Sequence, residues 1–149
     1  MDNVFTHLLR VRYSECDAQK VVFNAKYVEY IDIAFTEFTR EIWGDYTDML
    51  NSGIDTQVVS LNIDWVAPAH FDDVLAIRLH TAHIGNTSYT VQVDVTNYVS
   101  GAEIVSAKIV YVMVSATEHK KIRIPDDMRL TLAHGAPGVT RDHAGVNSL

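Results

Sequence analysis

What the chain lacks narrows it first. Only one of its 149 residues is a cysteine, Cys16, so no internal disulfide can form and a reducing compartment is the simpler expectation. Basic residues are outnumbered, 12 Lys and Arg against 19 Asp and Glu, which gives a net charge of −7. A dedicated nucleic-acid binder would carry a basic stripe; here any phosphate site has to be local. Long apolar runs are missing as well. The most apolar stretch, residues 104–114, is interrupted by Ser106 and Lys108 and falls far short of the ~20 residues of a membrane helix. Residues 1–12 hold no apolar core of signal-peptide length. The expectation is a cytoplasmic protein that engages neither membrane nor nucleic acid. With 48% apolar and 21% charged residues the composition is globular, and the length fits one domain without internal repeats.

What is there is mostly strand. Residues 5–13 alternate loosely, with Phe5, Leu9, Val11 and Tyr13 on one face and Thr6, Arg10 and Arg12 on the other. From Gln57 onward Val59, Leu61, Ile63 and Trp65 alternate with Ser60, Asn62 and Asp64 until Pro68. Three more strands are expected over residues 74–84, 88–99 and 103–115, joined by turns at Gly85-Asn86 and Ser100-Gly101. His80 and His83, three apart on a strand, are expected on opposite faces, which argues against a metal site. Between the first two strands the period changes. Tyr27, Val28, Ile31, Ala34, Phe35, Phe38 and Ile42 recur at helical spacing, predicting a helix over residues 25–43 with Asn24 as N-cap and Gly44 as its stop. A short helix is expected from Pro125 to Leu132, and the small polar residues from Ala133 onward predict a flexible tail. The expected architecture is α+β: one domain over residues 1–132, a curved antiparallel sheet of about five strands wrapped around one long helix, and a tail over 133–149.

The segment from Arg12 to Asn24 joins the first strand to that helix. Its carboxylate at Asp17 is delivered to a helix N-terminus, where backbone N–H groups favour developing negative charge. Such a carboxylate can attack a carbonyl or activate water, although a lone loop Asp is more often a cap or turn residue. Cys16 beside it has no sequence-adjacent His and is expected to be a small packed residue. Asp72 and Asp73, just before a strand, are expected to form a turn.

The run Tyr13-Ser-Glu-Cys-Asp17-Ala-x-x-Val21-Val22-Phe23-Asn24-Ala25-x-Tyr27-x-x-x-Ile31-Asp32-x-Ala34 resembles the signature of the hotdog-fold acyl-CoA thioesterases of the 4-hydroxybenzoyl-CoA thioesterase type. The likeness continues through Val58-Val-Ser-Leu-Asn-Ile-Asp-Trp65, Ala67-Pro-Ala-His-Phe-Asp-Asp-Val-Leu75 and Gly85-Asn-Thr-Ser88. The resemblance implies a sheet curled around a central helix, a dimer or dimer of dimers, and an active site between two chains. It implies hydrolysis of an acyl-CoA or acyl-carrier-protein thioester, with CoA as part of the substrate and no separate cofactor. Asp17 matches the family's catalytic carboxylate, as nucleophile or general base. Asn24 stands where relatives often have Tyr or His, so its backbone N–H is the expected donor to the thioester oxygen. Tyr13, Phe23, Tyr27, Asp32, Ser60, Thr87 and Ser88 complete the implied substrate-binding set. For Tyr13 a core strand position is an equal reading, and for Asp32 a solvated helix position. Phe23, Tyr27 and Phe35 suit an aromatic or medium aliphatic acyl group.

Two departures from the pattern stand out. Relatives usually run Asp-x-x-Gly before the Val pair, and here Gln19 and Lys20 occupy that stretch, so an altered turn is expected. The hairpin at Gly85–Ser88 lacks the basic residues that hold CoA phosphates in relatives, which leaves Arg12, Lys20, Lys26 and Lys108 as candidates. Two other functions compete. A hotdog hydratase or dehydratase needs an Asp/His pair at the helix start, and no His lies between His7 and His70. A non-catalytic acyl-binding module would explain the missing cations but gives no reason for Asp17.

Overall fold

The alternating stretches become one six-stranded sheet in a computed structural model of the chain, which describes residues 3–146. The elements run β1 (Phe5–Arg10), α1 (Lys26–Trp43), α2 (Tyr46–Asn51), β2 (Ile54–Trp65), β3 (Val74–Ile84), β4 (Ser88–Asn97), β5 (Glu103–Ser115), α3 (Asp126–His134) and β6 (Thr140–Asp142). Strand order is β2-β5-β4-β3-β1-β6. Every pairing is antiparallel except β1 with β6. The class is α+β, with six strands rather than about five.

α1 buries Tyr27, Tyr30, Ile31, Ala34, Phe35 and Phe38, a stripe at three- and four-residue spacing. That stripe shares one core with Phe5, Leu79, Val91, Val93 and Tyr111 of the sheet. Gly44, at φ +83°, ends the helix by donating its N–H to the Arg40 carbonyl at 3.0 Å. The helix is not alone. The nine-residue α3 packs against its far end, where the Trp43 indole donates to Thr131 Oγ1 at 3.0 Å and Leu132 is fully buried.

Two expectations about the ends of the chain are corrected. β1 stops at Arg10, and Tyr13 lies in a 3-10 turn with 81% of its surface exposed. The cause is local: the Glu15 carboxylate captures the Arg12 backbone N–H at 2.7 Å and coils the chain before the alternation can continue. After Leu132 the chain finishes α3 and then adds β6, instead of fraying as a tail. Ala136 joins the main core, while Ala144 and Val146 cover Leu8, Val74 and Ala76 on the other side of the sheet. Ala136 and Ala144, which look like linker composition, are buried here. The expected tail's last residues, 147–149, and the first two of the chain lie outside the described residues.

A bulge in β3 corrects a third point. His80 pairs with Gln92 and His83 with Thr90, and those partners are two apart on β4, so both imidazoles face the same side. Among the described residues no three His, Cys, Asp or Glu converge as a metal site, and no helix is long and apolar enough to cross a membrane.

Candidate active site

Asp17 sits in a tight hairpin whose base is the pairing of Cys16 with Val22. Its N–H donates to the Val21 carbonyl and its own carbonyl accepts from Lys20, both at 2.9 Å. Its side chain folds back to take the Gln19 N–H on Oδ1 at 2.8 Å. Asp17 is therefore a turn residue as well as a candidate nucleophile, and Oδ2 makes no bond to another described residue. Lys20 adopts φ +67°, the left-handed conformation a glycine there would take freely, and the hairpin closes around it.

The hairpin is fastened on two sides. On one, Val21 pairs with His70 and the Val22 N–H donates to the Ala69 carbonyl at 2.9 Å. On the other, the Phe23 N–H donates to the Glu15 carbonyl at 3.0 Å. The Glu15 side chain is buried and accepts from the Arg12 guanidinium and from Tyr30 Oη. Burial opposes its charge, but the bonds from Arg12 and Tyr30 outweigh it and hold the carboxyl below its ordinary range. Tyr30 is pushed the other way, first by burial and then by its bond to that carboxylate.

The hairpin leads directly into the start of α1. Asn24 does not cap the helix: Ala25 holds the N-cap position, and it makes no side-chain cap bond. The backbone N–H groups of Asn24 and Ala25 make no bond to another described residue, leaving donors open beside the hairpin. Trp65, at the end of β2, donates its indole N–H to the Asn24 carbonyl at 3.2 Å and ties this end of α1 to the sheet edge. Phe23 is half exposed next to these donors.

The other sequence candidates scatter. Tyr27 is a core residue, 2% exposed, whose hydroxyl accepts from the Ala69 N–H. Asp32 lies exposed on α1, at a cleft of about 210 Å³ between α1 and the β2–β5 edge of the sheet. Val28, Ile31, Val58, Leu61 and Tyr111 line the apolar part of that cleft, and Tyr111 stacks on Phe35 with ring centroids 4.0 Å apart. Ser60 is exposed on β2. Thr87 and Ser88 sit in the β3–β4 turn, where the Thr87 carbonyl accepts from Met113 and the neighbouring Tyr89 ring meets Trp43. Trp43 ends α1, and 18 helical residues span ~27 Å, so these hydroxyls lie at the opposite end from Asp17. Of the candidate cations, Arg12 is paired with Glu15 and Lys26 with Glu29 at 2.8 Å, while Lys20 and Lys108 are exposed.

Sequence reasoning missed three residues here. Glu15 carried a readable signal, since Arg12-x-x-Glu15 has the spacing of a capping box. Trp65 and His70 lie in the runs that carry the likeness, but nothing local gave them a place beside Asp17, because each arrives by a contact across more than forty residues.

A family model described as the thioesterase superfamily matches residues 19–102, beginning two residues after Asp17. The chain is 29% identical over 85 residues to an acyl-CoA thioesterase, YbgC, of Haemophilus influenzae, covering 56% of this chain and 62% of that protein. It is 27% identical over 127 residues to a 1,4-dihydroxy-2-naphthoyl-CoA hydrolase of Nostoc punctiforme, 83% of each chain. Several other matches, such as those to Aquifex aeolicus and Bacillus subtilis proteins, span about half to two thirds of the relative's length. Among solved structures, a thioesterase-superfamily protein from Jannaschia sp. superposes with a TM-score of 0.84 at 23% identity, covering 93% of this chain and 96% of that one.

Proposed function

Because this chain belongs to the thioesterase superfamily, we propose that it hydrolyses an acyl-CoA thioester to a carboxylic acid and free CoA, with Asp17 as the reacting carboxylate. One observation carries this reading: Asp17 keeps a free oxygen at a hairpin fastened to the open N–H groups at the start of α1. Thioester hydrolysis needs both parts. The carboxylate either attacks the carbonyl carbon, giving an Asp17 acyl anhydride that water then hydrolyses, or takes a proton from a water that attacks in its place. The N–H groups of Asn24 and Ala25 receive the charge that builds on the carbonyl oxygen, and the CoA thiolate leaves. The acyl group lies in the cleft between α1 and β2, over Tyr111, with Asp32 at its rim.

The reading includes a second copy of the chain. β2 is an edge strand whose outer rim pairs with no described residue, and it exposes Val58, Val59, Leu61 and Trp65. Two-fold pairing along β2 covers that edge and carries the partner's opposite end toward Asp17, uniting the two halves of the scattered set. Ser60 then lies in the joint, and Thr87 and Ser88 come from the other protomer.

His70 gives the hydratase alternative one point in its favour, since its backbone pairs with Val21 of the Asp17 hairpin. A panel of acyl-CoA esters, assayed in parallel for thiol release and for hydration of an enoyl-CoA, decides between them. Thiol release from at least one ester, without hydration, is expected. Hydration without thiol release would replace the thioesterase reading. Neither activity, with saturable binding of acyl-CoA, would make the chain a binding module.

A further inference from the structure

Two residues before Asp17 the chain buries a carboxylate. Glu15 is 6% exposed and is the one acidic residue among the described residues in the buried class. It accepts four hydrogen bonds: from the Arg12 N–H at 2.7 Å, from Arg12 Nε at 3.0 Å and Nη2 at 2.7 Å, and from Tyr30 Oη at 2.8 Å. Packing alone does not call for such a group. Desolvating an ion pair is costly, and apolar residues of the same volume often serve stability as well or better. What the carboxylate supplies is direction. Its bonds join the segment after β1 to the second turn of α1, and the Glu15 backbone carbonyl takes the Phe23 N–H just below the base of the Asp17 hairpin. Cys16 and Val22 pair one step further out, and Asp17 follows.

We infer that Glu15 is the positioning residue for Asp17: held by Arg12 and Tyr30, it sets the hairpin so that the Asp17 carboxylate faces the open end of α1. The inference rests on the proposed thioesterase reading for its link to turnover, but not for its link to the hairpin. Arg12, mostly exposed, acts as the outer clamp, and Tyr30, fully buried, as the inner one. Exchanging the Glu15 carboxylate for an amide keeps the shape and sets an NH2 group against the guanidinium. The hairpin then loses its fixed height above α1 while the core stripe of the helix stays in place.

Cys16 makes this testable without relying on activity. It is the chain's single cysteine, half-buried between Glu15 and Asp17, so its alkylation rate under native conditions reports opening of the hairpin. In the full-length protein, Glu15→Gln should raise the iodoacetamide labelling rate of Cys16 about tenfold. It should lower kcat about tenfold or more and leave KM within about twofold, as misplacement of a reacting group does. Tyr30→Phe, which keeps the ring in the core, should move both readouts the same way by about threefold, one lost hydrogen bond. If Glu15→Gln does not fold, Tyr30→Phe decides alone. Unchanged labelling and unchanged kcat in a folded variant, even one with a lower unfolding midpoint, would reduce Glu15 to a stability role and overturn the inference. A raised KM with unchanged kcat would overturn it too. If the wild-type protein releases no thiol from any acyl-CoA, the thioesterase reading fails, and the labelling comparison still decides whether Glu15 sets the hairpin.

Discussion

Asp17 and Lys20 divide the work of the hairpin between them. Asp17 spends one oxygen on the Gln19 N–H and keeps the other free, so the turn itself aims the carboxylate. Lys20 closes the turn from a left-handed conformation that costs a non-glycine residue about 1–2 kcal/mol. Lys20→Gly should relieve that strain. The gain is offset by about 0.4–1 kcal/mol of extra freedom in the unfolded chain, leaving a net stabilisation between about 0 and 1.6 kcal/mol. Urea unfolding of the variant checks this, and a clear loss of stability would show that the Lys20 side chain contributes more than the backbone strain costs. At this scale the sequence offered Asp17 as a candidate and was misleading about the helix cap beside it. The motif singled out Asp17 as the candidate, and the missing glycine drew attention to a turn that Lys20 closes at φ +67°. Asn24 looked like a cap because of its residue type, and the cap position fell one residue later, at Ala25.

The elements separate into those decided locally and those decided at a distance. α1, β3 and β5 were legible because their apolar periods run unbroken, and their observed limits match that pattern closely. Phe38, fully buried beneath the sheet, should cost about 3–5 kcal/mol on replacement by Ala, read as a shift in the unfolding midpoint at constant m-value. β6 was illegible because what holds it lies a hundred residues or more away. His7 on β1 meets His143 at 2.9 Å, and Arg141 pairs with Glu41. His7 is buried, and its pKa falls from 6.5 to about 4, mainly through desolvation and then through His143, with Glu37 pulling weakly the other way. The unfolded chain therefore binds the extra proton first. The stabilisation is complete above about pH 6.5 and drains away as pH falls toward 4, on the order of 3 kcal/mol in all. Between pH 7.5 and pH 5 urea unfolding should record about 2 kcal/mol of loss, and His7→Gln should flatten that slope. The same slope in both proteins would remove His7 as its source.

For the whole molecule, the sheet edge and the scattered site residues lead to one expectation. An apolar β2 whose outer rim pairs with no described residue, and a candidate binding set divided between the two ends of α1, both resolve if two chains meet along β2. Light scattering at micromolar concentration should give at least twice the 16.7 kDa chain mass, and Val59→Lys on that edge should lower both mass and turnover. A monomer with full activity would show that one chain carries a complete site. Charge acts at this scale as well. With a net charge of −7, and with Arg12 and Lys26 already paired, few cations are free to hold the phosphates of CoA. Acyl-CoA should therefore outperform the matching acyl-N-acetylcysteamine only modestly, with a weak dependence on salt. An advantage beyond about a hundredfold that salt erodes would reveal a strong phosphate site. The sequence could give the net charge, but not which cations were already committed, because the pairing depends on the fold around Glu15 and along α1.

The most direct test of the account is the initial rate of acyl-CoA hydrolysis by the wild-type protein and by Asp17→Asn, with unfolding curves measured on both. Asparagine keeps an oxygen for the Gln19 N–H, so the hairpin and the unfolding midpoint should persist. The amide can neither attack the thioester nor take a proton from water, and turnover should fall about 10²–10⁴-fold. A folded Asp17→Asn protein that still turns over at near the wild-type rate would contradict the account, because the carboxylate would then be a turn residue and nothing more.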